Sequence, residues 1–412
     1  MKSFGLKRYT KIWLIGLIIL LTPSCIEEFE PGSVKFEKLL VVDGNISDQA
    51  KVHEIRLSFT SPINAEDDQP NEVLSGATVW VEDGAGNRLD YTEQDAGTYA
   101  SPVFAAVAGR SYSLNITTAE GKSYQSAPEE LTPAPEVTNI YDRFKVETGD
   151  GESTSIPGIQ FFIDVDNADQ GSQFYRYEWT DTHQVIVPHI KLYDYVFNQD
   201  GTAEVIPFSE DVKECYREGR FNELILATST TSDNGQLKEV PVSFISATRF
   251  DVTTMYSLEV TQRSISPEAY SYYRKLELFN ESNGSLFDKQ QGVLVGNVKS
   301  LDSPEEEVLG YFEVSGANSK RVFINPSDFN EEVQQYIRRP CSEYRQYNFE
   351  GSVSAFYQAL DVDPENRGRE SAIRSLYEIY DYNSFAGVIS MAHRLCVDCR
   401  YRGSVGKPDY WP

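Results

Sequence analysis

Ala77-Thr78-Val79-Trp80-Val81 alternates polar and apolar side chains and then breaks at Asp83-Gly84-Ala85-Gly86-Asn87. Period-two alternation sets Val79 and Val81 on one face of a strand, and a glycine-rich turn behind it reverses the chain. The same rhythm recurs on both sides. Leu39-Leu40-Val41-Val42-Asp43-Gly44-Asn45-Ile46 and Glu54-Ile55-Arg56-Leu57-Ser58-Phe59 precede it. Gly97-Thr98-Tyr99 and Ser111-Tyr112-Ser113-Leu114-Asn115-Ile116 follow, and Glu120-Gly121-Lys122 supplies a hairpin turn before Tyr124. Short strands at regular intervals, separated by Gly, Asn and Asp, predict a β-sandwich over residues 38–135.

About one hundred residues with this rhythm predict an immunoglobulin- or transthyretin-like sandwich. Leu131-Thr132-Pro133-Ala134-Pro135-Glu136 then reads as a stiff hinge, since two prolines in three residues favour extended backbone. A larger β-rich domain is expected over 136–412. Gly158–Val165 and Phe174–Trp179 read as paired strands joined by a loop at 166–171, and Met255–Gln262 as another alternating strand. One helix is well marked: Ser266 can cap it, Pro267 suits its first turn, and Glu268 complements its dipole. Ala269, Tyr272, Leu276 and Phe279 fall on one face of it. A shorter helix is expected from Asp328 to Ile337, and 370–382 reads equally as helix or strand. With 25 Tyr, 22 Phe and only 3 Met, the expected class is mainly β with one or two short helices.

Lys2, Lys7, Arg8 and Lys11 precede an apolar run, Ile12 to Leu21, which ends in Thr22-Pro23-Ser24-Cys25. A basic region, a short apolar core and small residues before a cut site describe a signal peptide over 1–24. The run is too short to span roughly 30 Å of bilayer. Cys25 is therefore expected to carry a lipid, with 25–37 an acidic tether. Thr22 and Pro23 depart from the usual lipobox. Glu27 and Glu28 sit where an export signal to the cell surface would lie, giving an expected address at the outer membrane.

Formal net charge is −26, which argues against nucleic acid and against docking on anionic lipid through charge alone. Cys215, Cys341, Cys396 and Cys399 form an even set in an oxidising compartment, and two structural disulfides with three possible pairings are expected ahead of zinc or a redox pair.

Motifs for chemistry are scarce. There is no Gly-x-Ser-x-Gly elbow, no His-Glu-x-x-His and no phosphate-binding glycine loop. His53, His183, His189 and His393 are the histidines. His183 and His189 would lie roughly 20 Å apart on a strand, too far to share an ion. Asp164-Val165-Asp166-Asn167-Ala168-Asp169 lacks the glycine and bidentate glutamate of a calcium loop. No catalytic residue, metal site or cofactor is assigned. The aromatic surplus offers one lead: Tyr270 and Tyr273 on the main helix, with Tyr344 and Tyr347, are candidates for a sugar or peptide platform, weighed against ordinary core packing.

Several blocks together resemble one known family. Leu40 to Asp48, Ser75 to Val81, Gly109 to Leu114, Ser285 to Asp288, Gly296-Asn297-Val298 and Val308 to Phe312 keep its order. Cys396-Val397-Asp398-Cys399-Arg400 and Lys407-Pro408-Asp409-Tyr410-Trp411 complete the set, which resembles the DUF4249 family of Bacteroidota lipoproteins. The resemblance implies no catalytic residues. It implies an accessory or ligand-binding role beside a TonB-dependent outer-membrane transporter. A surface hydrolase acting on glycan or peptide, and a structural or adhesive module, are the alternatives.

Overall fold

Val79 and Val81 are buried and their neighbours Thr78 and Glu82 exposed, as the alternation requires. These positions come from a computed structural model that describes residues 38–61, 72–148, 155–166, 172–197, 203–232, 235–281, 294–338, 341, 347–350 and 376–412. The protein is mainly β. In the N-terminal part, β1 (Leu40–Ser47), β2 (Glu54–Phe59), β3 (Thr78–Asp83), β4 (Arg88–Asp95), β5 (Thr98–Ala100), β6 (Ser111–Thr117), β7 (Ser123–Ser126) and β8 (Glu129–Glu130) follow the predicted rhythm. Their order is β1-β2-β5-β4-β3-β6-β7, with β8 beside β6. The sheet curls around Val42, Ile46, Ile55, Leu57, Val81, Leu114 and Ile116. At the turn after β3 the Asp83 carboxylate accepts hydrogen bonds from Ala85 N, Asn87 N and the Asn87 side chain, and these hold its pKa at about 2.

The second part faces two sheets across a core. One sheet holds β9 (Val137–Thr148), β10 (Ser155–Val165) and β15 (Leu237–Ser246). The other holds β11 (Phe174–Ile186), β14 (Glu214–Thr228), β16 (Tyr256–Ser264) and the upper half of β18 (Val308–Ile324). The expected pairing of Gly158–Val165 with Phe174–Trp179 does not occur. β10 pairs with β9 and β15, whereas β11 pairs with β14 and β16. Alternation fixes which face of a strand is buried and leaves open whether its loop makes a hairpin or arches across the core. Here Phe161 and Ile163 on β10 meet Tyr175, Tyr177 and Trp179 on β11 inside one cluster.

β18 joins the two parts. Its first half runs parallel to β1, from Leu40↔Val308 to Ser47↔Ser315; its second half pairs antiparallel with β16, from Ser264↔Gly316 to Tyr256↔Ile324. β17 (Val298–Ser300) also returns to pair with β7, so residues beyond the proline hinge complete the N-terminal core. The hinge itself is strapped down: Thr132 O accepts from Gly316 N, Pro133 O from the Ser264 hydroxyl, and Pro135 O from Gln262 Nε2. A Cβ on Gly316 would lie 2.3 Å from Thr132 O, so only glycine fits this crossing.

A buried charge network sits at the same junction. Glu313 accepts from Arg176 Nε at 2.8 Å and Nη2 at 3.0 Å, and from Ser315 Oγ at 2.9 Å. Arg176 Nη1 also reaches Glu178 at 2.7 Å, and Arg263 binds Glu178 at 3.0 Å and Ser315 at 3.3 Å. Burial pushes the Glu313 carboxyl up, but the two arginines and Ser315 outweigh it and hold the pKa at about 2.

The main helix, α1 (Pro267–Glu281), starts as expected, with Ser266 Oγ accepting from Ala269 N. The second helix is shorter than expected: α2 is Glu331–Gln334, capped by Asn330, and a 3-10 turn at Pro326–Asp328 precedes it. Phe329 and Val333 of the expected stripe are buried in the second core, with Tyr336 and Ile337 packed beside them. Of the stretch 370–382, residues 370–375 lie outside the described residues, and Tyr377–Asn383 is a strand.

β12 (Tyr193–Phe197) and β13 (Ala203–Pro207) form a separate ribbon, and β19 (Tyr347–Glu350), β20 (Tyr377–Asn383) and β21 (Val388–His393) form a small third sheet. The four cysteines make two disulfides, Cys215–Cys399 and Cys341–Cys396. Cys396 and Cys399 thus take different partners. Among the described residues no helix is long and apolar enough to cross a membrane, which says nothing of a β-barrel.

Candidate functional site

The residues at which the two parts meet leave a cleft of about 710 Å3. One wall is the end of the N-terminal part, Ala127–Glu130 and Thr132; the other is Ser172–Phe174 and Ile265–Glu268, where β16 passes into α1. Ser172 fixes the rim by donating to Ile265 O at 2.6 Å. Phe174 forms part of the wall, and the Tyr270 ring packs behind it with centroids 4.9 Å apart.

Glu129 is the buried polar group of this wall. The Tyr311 hydroxyl donates to its Oε1, and Asn297 Nδ2 lies 3.5 Å from the same oxygen. Asn297 is itself held by Phe312, accepting from its N at 2.9 Å and donating to its O at 2.8 Å. Burial raises the Glu129 pKa, opposed in part by hydrogen bonds from Ser266, Tyr311 and Asn297, and Glu268 adds like charge. The Tyr311 hydroxyl is pushed up in turn, by burial first and then by Glu129. No Lys, Arg or His lines the cleft among the described residues. Its chemistry is that of carboxyls, hydroxyls, an amide and one aromatic face, which suits a neutral hydroxylated or a cationic ligand rather than an anion.

Two other cavities are smaller. At the entry of β1, about 480 Å3 is bordered by Lys38–Glu72 and Lys122–Glu306 ion pairs that neutralise each other. Near the C-terminus, about 440 Å3 lies beside Glu214, Tyr216, Lys407 and Trp411.

The residues singled out from sequence scatter. Cys25, Glu27, Glu28 and Tyr344 lie outside the described residues. Tyr270 and Tyr273 are half-buried on α1; Tyr273 stands over the Arg176 guanidinium at 5.1 Å and against Tyr272 and Tyr311. Tyr347 opens β19, opposite Met391, in the third sheet. Of the histidines, His183 binds Asp251 at 3.2 Å and His189 stacks on Tyr380, so they serve separate surroundings. His53 packs edge-on to Phe104, and His393 accepts from Leu395 N. Asp164 and Asp166 are paired with Lys238, at 3.6 and 2.9 Å. Among the described residues no group of His, Cys, Asp and Glu could hold a metal.

Residues 26–321 match the family model described as a domain of unknown function, DUF4249. The chain belongs to the DUF4249 family. No curated protein matches this DUF4249 chain. Among solved structures, a DUF4785 family protein from Legionella pneumophila is 12% identical, with a TM-score of 0.19, over 49% of this chain and 56% of that one. The chain thus spans little more than half of that protein. A structure of manganese lipoxygenase of Gaeumannomyces graminis with partial zonadhesin of Komagataella pastoris is 11% identical, with a TM-score of 0.14, over 56% of this chain and 89% of that one. Scores this low carry no weight for fold or function.

Two of the blocks that suggested DUF4249 meet at the cleft: Asn297 from the first and Tyr311 and Phe312 from the second brace Glu129. The ending blocks do something different. Arg400 grips Asp398 and Glu210, Cys399 N donates to Val212 O, and Trp411 is buried edge-on to Tyr216 and Phe323. They fasten the C-terminus onto β14 and β18. Glu129 itself was missed in the sequence. Its only signal was its position beside the proline hinge, where two domains meet and clefts form.

Proposed function

We propose that the chain is a lipid-anchored outer-membrane protein, held at the cell surface through Cys25, that binds a ligand between its two β parts and works beside a TonB-dependent transporter. The inter-part cleft carries this reading. It is preformed, since β18 and the hinge bonds tie its walls together, and it combines a buried carboxyl with an aromatic wall and no basic side chain among the described residues. Binding without chemistry suits a cleft whose lining, among the described residues, holds no histidine or cysteine.

The test is calorimetry of the purified chain with a panel of neutral and cationic oligosaccharides and peptides, repeated with Phe174→Ala and Glu129→Gln. Saturable binding that weakens about tenfold or more in either variant supports the reading. Binding untouched by both variants sinks the cleft as the site. In parallel, Cys25→Ala should release the chain from the membrane, and affinity purification from the native outer membrane should bring down a transporter.

One observation favours a second reading. Glu129 has a raised pKa in a cleft that also holds Glu130 and Glu268, an arrangement general acids use. A surface hydrolase would turn over a glycan or peptide and lose that turnover in Glu129→Gln while keeping affinity.

A further inference from the structure

The strand registers give the molecule a direction. β1 and β18 start together at Leu40 and Val308, reach the junction at Ser47 and Ser315, and β18 continues to Ile324 beside Tyr256. At about 3.3 Å per residue this one strand covers roughly 55 Å. His183 lies at the same far end as Tyr256, and β11 leaves it for the third unit through His189 N→Cys396 O and Leu192 N→Tyr380 O. Leu40 opens β1 at the opposite end. The ribbon β12–β13 and the hairpin β20–β21 therefore lie toward the end of β18 that is opposite Leu40.

That far end shows an apolar face with no partner among the described residues. On the ribbon, Tyr193, Tyr195 and Val205 turn inward onto Ile379, Ile389 and Met391. Alternation sends Leu192, Asp194 and Val196 the other way, and the register Asp194↔Ile206 and Val196↔Glu204 adds Ile206 and Glu204 to the same face. Leu192 is 51%, Val196 44% and Ile206 38% exposed. On the neighbouring hairpin, Asn383 Oδ1 accepts from Phe385 N and Ala386 N, a fixed turn that holds Phe385 fully in solvent. Apolar side chains grouped on a packed, fixed ribbon mark a contact surface more than singly scattered ones do.

We propose that this far end docks a folded protein whose own face is apolar and fringed by Lys or Arg. Glu204 supplies complementary charge, and Asp194 shares Lys191 with Glu378, at 3.1 Å each, which leaves that cluster one negative charge in excess. They and the net charge of −26 disfavour a second copy, which would bring the same carboxylates to itself, and they disfavour anionic lipid. The docking face does not rest on the proposed anchor at Cys25.

The test introduces photoreactive benzoylphenylalanine in place of Ile206 or Phe385, and at exposed Val103 of the N-terminal part as control, in the full chain in its native cells. The expected result is a cross-link to one other protein from 206 and 385 but not from 103. The linked peptide should map to an apolar surface bordered by basic residues. The adduct should fall about tenfold with Glu204→Lys or in high salt, while circular dichroism and ligand binding in the cleft stay unchanged. Cross-links to a second copy or to lipid, no adduct at all, or an adduct indifferent to Glu204→Lys would each overturn the proposal. Loss of cleft binding with the adduct intact would instead count against the ligand-binding reading alone.

Discussion

Glu313→Gln isolates the charge at the junction without changing its volume. The carboxylate is 1% exposed and meets Arg176, itself 13% exposed, through two hydrogen bonds. Removing one member of a buried pair costs about 3–5 kcal/mol, because the other charge stays buried and uncompensated. Glu178, bound to Arg176 at 2.7 Å but 39% exposed, retains part of the compensation, so the lower end, about 3 kcal/mol, is expected. An unfolding entropy of about 2.1 cal/mol/K per residue makes the shift about 1 °C per kcal/mol for a protein of this size, so the thermal midpoint should drop by about 3–4 °C.

The pH dependence supplies a second reading of the same quantity. The folded pKa of about 2 lies below that of an unfolded glutamate, near 4.3. The contribution is therefore complete above about pH 5 and fades as pH falls through the folded value. Urea unfolding of both proteins at pH 7 and pH 3 tests it: the gap should narrow at pH 3. A double variant, Arg176→Met with Glu313→Leu, should regain most of the loss, since an apolar pair leaves no stranded charge. A Glu313→Gln protein within about 1 kcal/mol of the parent at pH 7, or a gap that does not change with pH, would refute the reasoning.

Three further outcomes are expected. Gly316→Ala forces a Cβ to within 2.3 Å of Thr132 O and 2.6 Å of Ala134 N; calorimetric melting should show a loss above about 2 kcal/mol and an earlier transition of the junction. His183, whose burial chiefly and whose neighbours Arg217, Arg402 and Arg249 further lower its pKa to about 4 against the pull of Asp251, stays neutral in the fold, so stability present above about pH 6.5 is lost as pH falls towards 4. In His183→Gln the melting temperature should vary less over that window, and an unchanged slope would discount the histidine. Cys399→Ser opens a loop of 184 residues and Cys341→Ser one of 55; chain entropy assigns roughly 5 and 4 kcal/mol to them, so denaturant titration should find the Cys399 variant the weaker of the two.

Much of the strand content could be read directly, because Val79, Val81, Leu114 and Ile116 obey a local rule. The cap at Ser266 is equally local. What escaped was non-local. Nothing near Leu40 announces that its parallel neighbour is Val308, and nothing in Phe161 or Tyr175 says that the loop between them crosses the core rather than turning back within a sheet. α2 came out short because Pro326 diverts the first turn into a 3-10 bend before Asn330 can cap a helix. Disulfide pairing was open for a similar reason: Cys396 and Cys399 are three residues apart yet reach Cys341 and Cys215. Tyr270 and Tyr273 could be named as aromatic candidates, but only the fold shows one behind Phe174 and the other over Arg176. The cleft was illegible because Glu129 reads as one more acidic residue until Asn297 and Tyr311 arrive from far along the chain.

The same non-local pairing decides how the cleft can work. A hinge between two bodies moves when few bonds cross it. Here the linker's carbonyls accept from Gly316, Ser264 and Gln262, the latter also taking the Tyr177 hydroxyl, and β18 carries unbroken ladders into both sides. Arg176 and Arg263 add charge-assisted bonds across the crossing. Opening or closing would have to break several of these at once, each worth about 0.5–1.5 kcal/mol or more when charged. In the proposed ligand-binding reading, selection in the cleft therefore falls to fit and hydrogen bonding against fixed walls, not to domain closure.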